Sequence, residues 1–105
     1  MAKIFTAEEF DSEVLKADCA FVDFYADWCG PCQAMGPVID RLAQKYEGRA
    51  LVGKINVDAT PEVARRYRVM SIPSMFIFKK GEPVKSFIGY TDEPSLEVAI
   101  DEALS

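Results

Sequence analysis

The hydrophobic positions of this chain change period several times. Lys3–Phe5 is a short strand candidate. Thr6-Ala7-Glu8-Glu9 has the form of a capping box, in which a hydroxyl and a carboxylate three residues apart each accept the other's backbone N–H, and it opens a helix towards Lys16. Phe21–Ala26 is a nearly continuous apolar run between Asp18-Cys19 and the Cys29–Cys32 segment, the pattern of a central strand covered on both faces. From Cys32 onward, Met35, Val38, Ile39, Leu42, Ala43 and Tyr46 recur at helical spacing. Pro37 is expected to kink that helix and Gly48 to end it. Leu51–Val57 is a second buried strand, and Thr60-Pro61 has the form of an N-cap with proline in the first turn, starting a short helix through Tyr67. Met75–Phe78 and Val84–Ile88 are strands separated by the turn-rich Lys79–Pro83, a hairpin. Asp92 caps a last helix with Leu96, Ala99, Ile100 and Ala103 on one face.

The predicted order is β-α-β-α-β-α-β-β-α. Its first half contains βαβ units, which imply parallel strands, and its end is an antiparallel hairpin. A mixed sheet with helices on both sides follows, an α/β class of fold. The 105 residues bound this to one domain and exclude a (β/α)₈ barrel. Half the residues are apolar and 28% are charged, so a core can form without staples. Twelve basic against seventeen acidic residues leave a net charge of −5, which argues against nucleic acid or an anionic membrane as the main partner. No histidine occurs, which removes mechanisms built on a histidine base. Met1–Thr6 begins no apolar segment of the secretory kind and no run reaches membrane-spanning length, so the expected location is a reducing cytoplasm.

Within that frame the cysteines are informative. There are three, at 19, 29 and 32, which is no disulfide framework. Cys29-Gly30-Pro31-Cys32 falls where a buried strand ends and a helix begins, at the carboxyl edge where parallel sheets place their sites. Cysteines three apart across a first helical turn share a face and can close a disulfide. The positive end of the helix favours the thiolate of the first of them. Pro31 loses nothing in a first turn and stiffens the loop between the sulfurs. A metal knuckle is the alternative, but zinc needs four ligands; the pair supplies two, Cys19 a third at most, and histidine none. An inert core pair fits poorly with a Gly-Pro loop. Redox exchange is the expected chemistry, with no metal.

The segment Val22-Asp23-Phe24-Tyr25-Ala26-Asp27-Trp28-Cys29-Gly30-Pro31-Cys32 closely resembles the active-site segment of the thioredoxin family. The likeness runs the whole chain: Pro37 matches the family's kinking proline, Lys54–Asp58 is similar to its third strand, Ile72-Pro73-Ser74 resembles its cis-proline loop, and Gly81 and Gly89 fall where its later glycines fall. The resemblance implies a single thioredoxin domain over 1–105, a central mixed five-stranded sheet flanked by four helices. There are departures. Tyr25 stands where tryptophan is usual, Gln33 where lysine is common, Met70-Ser71 where Arg-Gly or a similar pair is frequent, and Ser74 where threonine is usual. They border the surface that meets partners.

The residues around the pair have their own readings. Asp23 is the one charge in Phe21–Ala26, so it is buried whichever face it points to, and burial raises a carboxyl's pKa. It is either a hydrogen-bonded structural group or a proton acceptor for a cysteine; an unpaired buried acid is costly, which favours the second, and the resemblance assigns that role. Lys54 interrupts its strand in the same way and either snorkels or, as the resemblance implies, modulates Asp23. Trp28 is core or, beside a reactive cysteine, a shield and flat contact surface. Pro73 on its own favours a trans bond; the resemblance implies cis, leaving the backbone at Ile72 free to pair with an extended substrate. Cys19, placed in the loop before the central strand, is a plain small side chain rather than a regulatory thiol. The expected catalytic set is Cys29, Cys32, Asp23 and Lys54, and the expected substrate-binding set is Trp28, Gly30, Pro31, Ile72, Pro73 and Gly89.

The expected activity is protein-disulfide reduction. Cys29 attacks a partner disulfide and Cys32 resolves the mixed disulfide, with Asp23 helping Cys32 lose its proton. The resemblance implies recycling by a thioredoxin reductase, a flavoprotein using NADPH, and a monomer is expected. No dinucleotide fingerprint is present, so no nicotinamide or flavin cofactor is expected in this chain. The rival readings are an oxidase or isomerase, which would usually carry a histidine between the cysteines, and a docking or metal-binding module on the same fold.

Overall fold

The structure is a computed structural model and describes residues 2–105. Five strands form one sheet: β1 (Lys3–Ile4), β2 (Cys19–Tyr25), β3 (Leu51–Asn56), β4 (Ser74–Lys79) and β5 (Glu82–Ile88), in the spatial order β1-β3-β2-β4-β5. β1 and β2 both run parallel to β3, whereas β4 is antiparallel to β2 and to β5. β2 is therefore central and buried along its whole length, as its unbroken apolar run predicts.

Alternation along β2 divides the core. Cys19 and Phe21 face a cluster built with Met35, Ile39, Leu42 and Tyr46 of α2 (Gly30–Lys45) and Leu96 and Ile100 of α4 (Glu93–Leu104). Ala20, Val22 and Phe24 face the other cluster, with Phe10 and Val14 near the N-terminus and Val63 and Ala64 of α3 (Pro61–Arg66). Helices thus cover both faces of a mixed sheet, as expected.

Local chemistry accounts for most element ends. Thr6 caps α1 (Ala7–Glu9) through the full capping box, accepting from the Glu9 N–H at 3.0 Å while Glu9 accepts from the Thr6 N–H at 3.0 Å. The helix expected to reach Lys16 instead widens into a π-helical turn over Phe10–Val14, with Leu15 N–H bonded to Phe10 O, and stops before the chain enters β2. α2 continues through Pro37. Thr60 stands before Pro61 as expected, but its side chain makes no capping bond. Asp92 caps α4 by accepting from the Ser95 N–H.

The β4–β5 hairpin is tighter than the five-residue turn expected. Lys80 and Gly81 alone form the turn, both with positive φ (52° and 84°), the backbone of a two-residue primed turn that follows sheet twist. Pro83 then lies inside β5, which is tolerated because β5 is an edge strand. Cys19 is also repositioned: it is the buried first residue of β2, paired with Lys79, and not a loop residue. Of the neighbours of β2, β4 extends to that point and β3 joins one residue later at Ala20, so pairing starts two residues before the apolar run.

Candidate active site

β2 ends at Tyr25, and Ala26–Trp28 lead directly into α2. Cys29 is the N-cap of that helix, in extended backbone, and its Sγ accepts the Cys32 N–H at 3.2 Å. An N–H and the positive end of a sixteen-residue helix both point at this sulfur and stabilise its anion. One helical turn brings the Cys29 and Cys32 Cα atoms to 5.2 Å and their sulfurs into disulfide contact. Both residues are buried, Cys29 slightly less so at 6% exposure against 3%. A Cβ built on Gly30 would meet nothing within 4 Å, so this glycine leaves the approach to Cys29 open, and Pro31 beside it is exposed.

Two distant segments close around Cys29. The carbonyl oxygen of Ile72 lies 3.8 Å from Cys29 Sγ, and the Ile72–Pro73 peptide bond is cis, as the resemblance implied. Gly89, at φ +86°, donates its N–H to Pro73 O at 2.7 Å, so the end of β5 is tied to the same loop. Trp28 is exposed, not core, and its Nε1–H donates to Asp58 Oδ2 at 2.8 Å. Asp58 in turn donates its N–H to Asn56 Oδ1, at the end of β3.

Asp23 lies beneath this surface. It shares the parity of Phe21 along β2 and therefore points to the α2 face, the face that carries Cys32 and Met35. It is 0% exposed, and neither carboxylate oxygen has a hydrogen-bond partner. Burial pushes its pKa up from 3.8 to about 7, and the Lys54 charge opposes this in part. No protein group hydrogen-bonds to Asp23, so a carboxyl held in place by protein donors does not describe this group. In the parallel ladder Asp23 is paired with Lys54, which sets the two on the same side of the sheet. Lys54 is half-buried with its Nζ 4.2 Å from the centre of the Tyr25 ring, so it both snorkels and faces the site. A cavity of about 220 Å³ lined by Tyr25, Ala26, Asp27, Cys32, Gln33 and Lys54 borders the second cysteine.

All ten expected site residues thus fall into one connected region, at Cys29, its two closing loops, or the Asp23–Lys54 pair beneath. Sequence reasoning did not reach Asp58 or the cation–ring contact at Tyr25. Asp58 is thirty residues from Trp28 and carries no sequence signal of the bond. Tyr25 lies two residues after Asp23 in the strand, so its position on the same face was open to inference. Among the described residues no group of three or more His, Cys, Asp or Glu is arranged to hold a metal. Among the described residues no helix is long and apolar enough to cross a membrane.

Two sulfurs presented at one helical turn form a two-electron couple, and the class of protein this defines is a thiol–disulfide oxidoreductase. The sequence profile of the family Thioredoxin matches residues 1–102. A thioredoxin of Chlorobaculum thiosulfatiphilum is 45% identical over 98 residues, 92% of this chain and 91% of that one. A thioredoxin of Staphylococcus aureus is 42% identical over 99 residues, 94% of each chain. The solved structure of a point mutant of thioredoxin from Halobacterium salinarum NRC-1 superposes with a TM-score of 0.89 at 36% identity, covering 97% of this chain and 89% of that one. The chain belongs to the thioredoxin family.

Proposed function

We propose that this protein reduces disulfides in partner proteins, with residues 1–105 acting as one thioredoxin domain and one monomeric unit. The observation that carries the reading is the placement of Cys29 as N-cap of α2 with Cys32 in sulfur contact behind it. In the reduced form the Cys29 thiolate attacks one sulfur of a partner disulfide. A mixed disulfide forms, and the partner's other sulfur leaves as a thiolate. Cys32 gives up its proton and attacks Cys29 Sγ, so the second partner thiolate leaves and two electrons have moved to the partner. Asp23 is the proton acceptor for Cys32: it is a partnerless carboxyl on the same face, with a pKa near neutrality. Lys54 sets how readily Asp23 ionises, through its charge across the ladder.

Substrate is held by the surface around Cys29. Trp28 offers a flat apolar ring fixed by Asp58, Gly30 and Pro31 leave the sulfur approachable, and Ile72, Pro73 and Gly89 form the facing wall. The oxidised pair is returned to dithiol by a thioredoxin reductase using NADPH, in a reducing cytoplasm. The test is trapping. Cys32→Ser lacks the resolving thiol, so partner proteins should stay on Cys29 and be released by a small thiol, whereas Cys29→Ser should retain few. Equal retention by the two variants would overturn the assignment.

A further inference from the structure

We propose that Met70 is an oxidation site at the rim of the exchange centre, and that conversion of its thioether to the sulfoxide by a hydroperoxide weakens docking of protein disulfides. This inference rests on the reductase reading above.

Three observations carry it. Met70 is 91% exposed, whereas Met35 and Met75 are 0% exposed. A peroxide therefore meets one of these three sulfurs in the folded chain and not the other two. Second, Met70 sits on the loop that walls the site, two residues before Ile72, whose carbonyl oxygen lies 3.8 Å from Cys29 Sγ. Third, that loop is anchored on either side of it. Val69 N–H donates to Ala64 O at 2.9 Å, and the Ser74 hydroxyl donates to Ser71 O. Met70 is thus presented outward from a fixed backbone.

Packing gives no reason for a thioether in solvent, but its company does. Trp28, Ile88 and Tyr90 are also large and exposed. They lie on the segments that the Ile72 contact and the Gly89–Pro73 hydrogen bond bring around Cys29. An apolar rim of this kind covers the flanks of a bound segment. Met suits it because its flexible chain adapts to different flanks.

The chemistry balances without a further reactant. The sulfur lone pair attacks the peroxide, an S–O bond forms and the O–O bond breaks. The sulfur loses two electrons, the peroxide gains them, and the proton on the transferred oxygen passes to the leaving oxygen, giving water or an alcohol. The product is polar and uncharged, so apolar contact at the rim is lost while the sulfurs of the exchange pair are untouched.

Peroxide is applied to the disulfide form, in which Cys29 and Cys32 are already joined and Cys19 is buried. Peptide mass mapping should show one oxygen on the Met70 peptide well before any on the Met35 or Met75 peptides, which should gain it only after unfolding. The treated protein, once reduced, should show a KM for insulin about four- to fifteenfold higher than before treatment, the scale expected from loss of one or two methylene-sized apolar contacts. Its rate on a small aromatic disulfide should not change. Met70→Leu retains Met1 and should give the same insulin KM before and after peroxide; Met70→Gln should show the raised KM with no treatment. Equal oxygen uptake by Met35 or Met75 in the folded protein, or an unchanged insulin KM after Met70 is oxidised, would overturn the proposal. Failure of the untreated protein to reduce insulin would instead overturn the reductase reading, and the mass mapping would still decide whether Met70 is the oxidised site.

Discussion

Replacing Asp23 with asparagine keeps the side chain's shape and removes its ionisation. In the folded protein the carboxyl has no hydrogen-bond partner and no exposure, and its pKa stands at about 7 against an ordinary 3.8. Between those values the folded chain holds a proton that the unfolded chain has released. The contribution of Asp23 to stability is therefore highest at the acid end, falls as pH rises through that window, and levels off above about 7. At about 1.4 kcal/mol per pH unit, the interval from 3.8 to about 7 amounts to about 4 kcal/mol once Asp23 is ionised. The neutral carboxyl and the amide bear similar desolvation, and the amide's extra unpaired N–H offsets about 1 kcal/mol of the gain. Asp23→Asn should thus be about 2–4 kcal/mol more stable than the parent above neutral pH, with the advantage gone below about pH 4. It should also reduce disulfides at least about tenfold more slowly, a modest share of the ~10²–10⁴ that a positioned base supplies. Denaturant melts of both proteins from pH 4 to 9, with insulin turnover measured in parallel, check both parts. A stability difference between variant and parent that is flat across that range, or a variant no more stable than the parent at the alkaline end, would refute the reasoning. Asp23 would then have a partner or water that lowers its pKa, and its role as acceptor would lose its physical basis.

Two further outcomes bear on separate parts of the structure. Because Cys29 receives the Cys32 N–H and the helix's positive end, its thiol should titrate below the free value of about 8.5, and iodoacetamide at mildly acidic pH should label Cys29 before Cys32 in peptide mapping. Gly81 holds φ +84° in the hairpin turn, where a Cβ would lie 2.9 Å from Leu15 O, so Gly81→Ala should cost about 1–3 kcal/mol in a denaturant melt and leave insulin reduction per folded molecule unchanged.

The chain's own pattern determined the features that depend on neighbours in sequence. The capping box at Thr6, the Asp92 cap, the sixteen-residue helix from Gly30 and the buried runs of β2 and β3 all follow from side chains acting on the nearest turns or from period alone. The Cys29–Cys32 couple belongs with them, because one helical turn sets both its spacing and the environment of the first sulfur. Burial of Asp23 was legible too, since a strand covered on both faces hides its side chain in either direction.

Ladder register, which no local rule sets, decided the rest. Parallel pairing places Lys54 beside Asp23 and leaves the carboxyl otherwise without a partner. The cis bond at Pro73 is disfavoured by local energetics, and is found where the loop is held between Ser71–Ser74 on one side and Gly89 on the other. Cys19 is a strand residue because β4 extends far enough for Lys79 to pair with it, which its own sequence surroundings do not reveal. Trp28 with Asp58, and Met70 on the rim, acquire their meaning from segments thirty or more residues apart that meet only when the sheet closes.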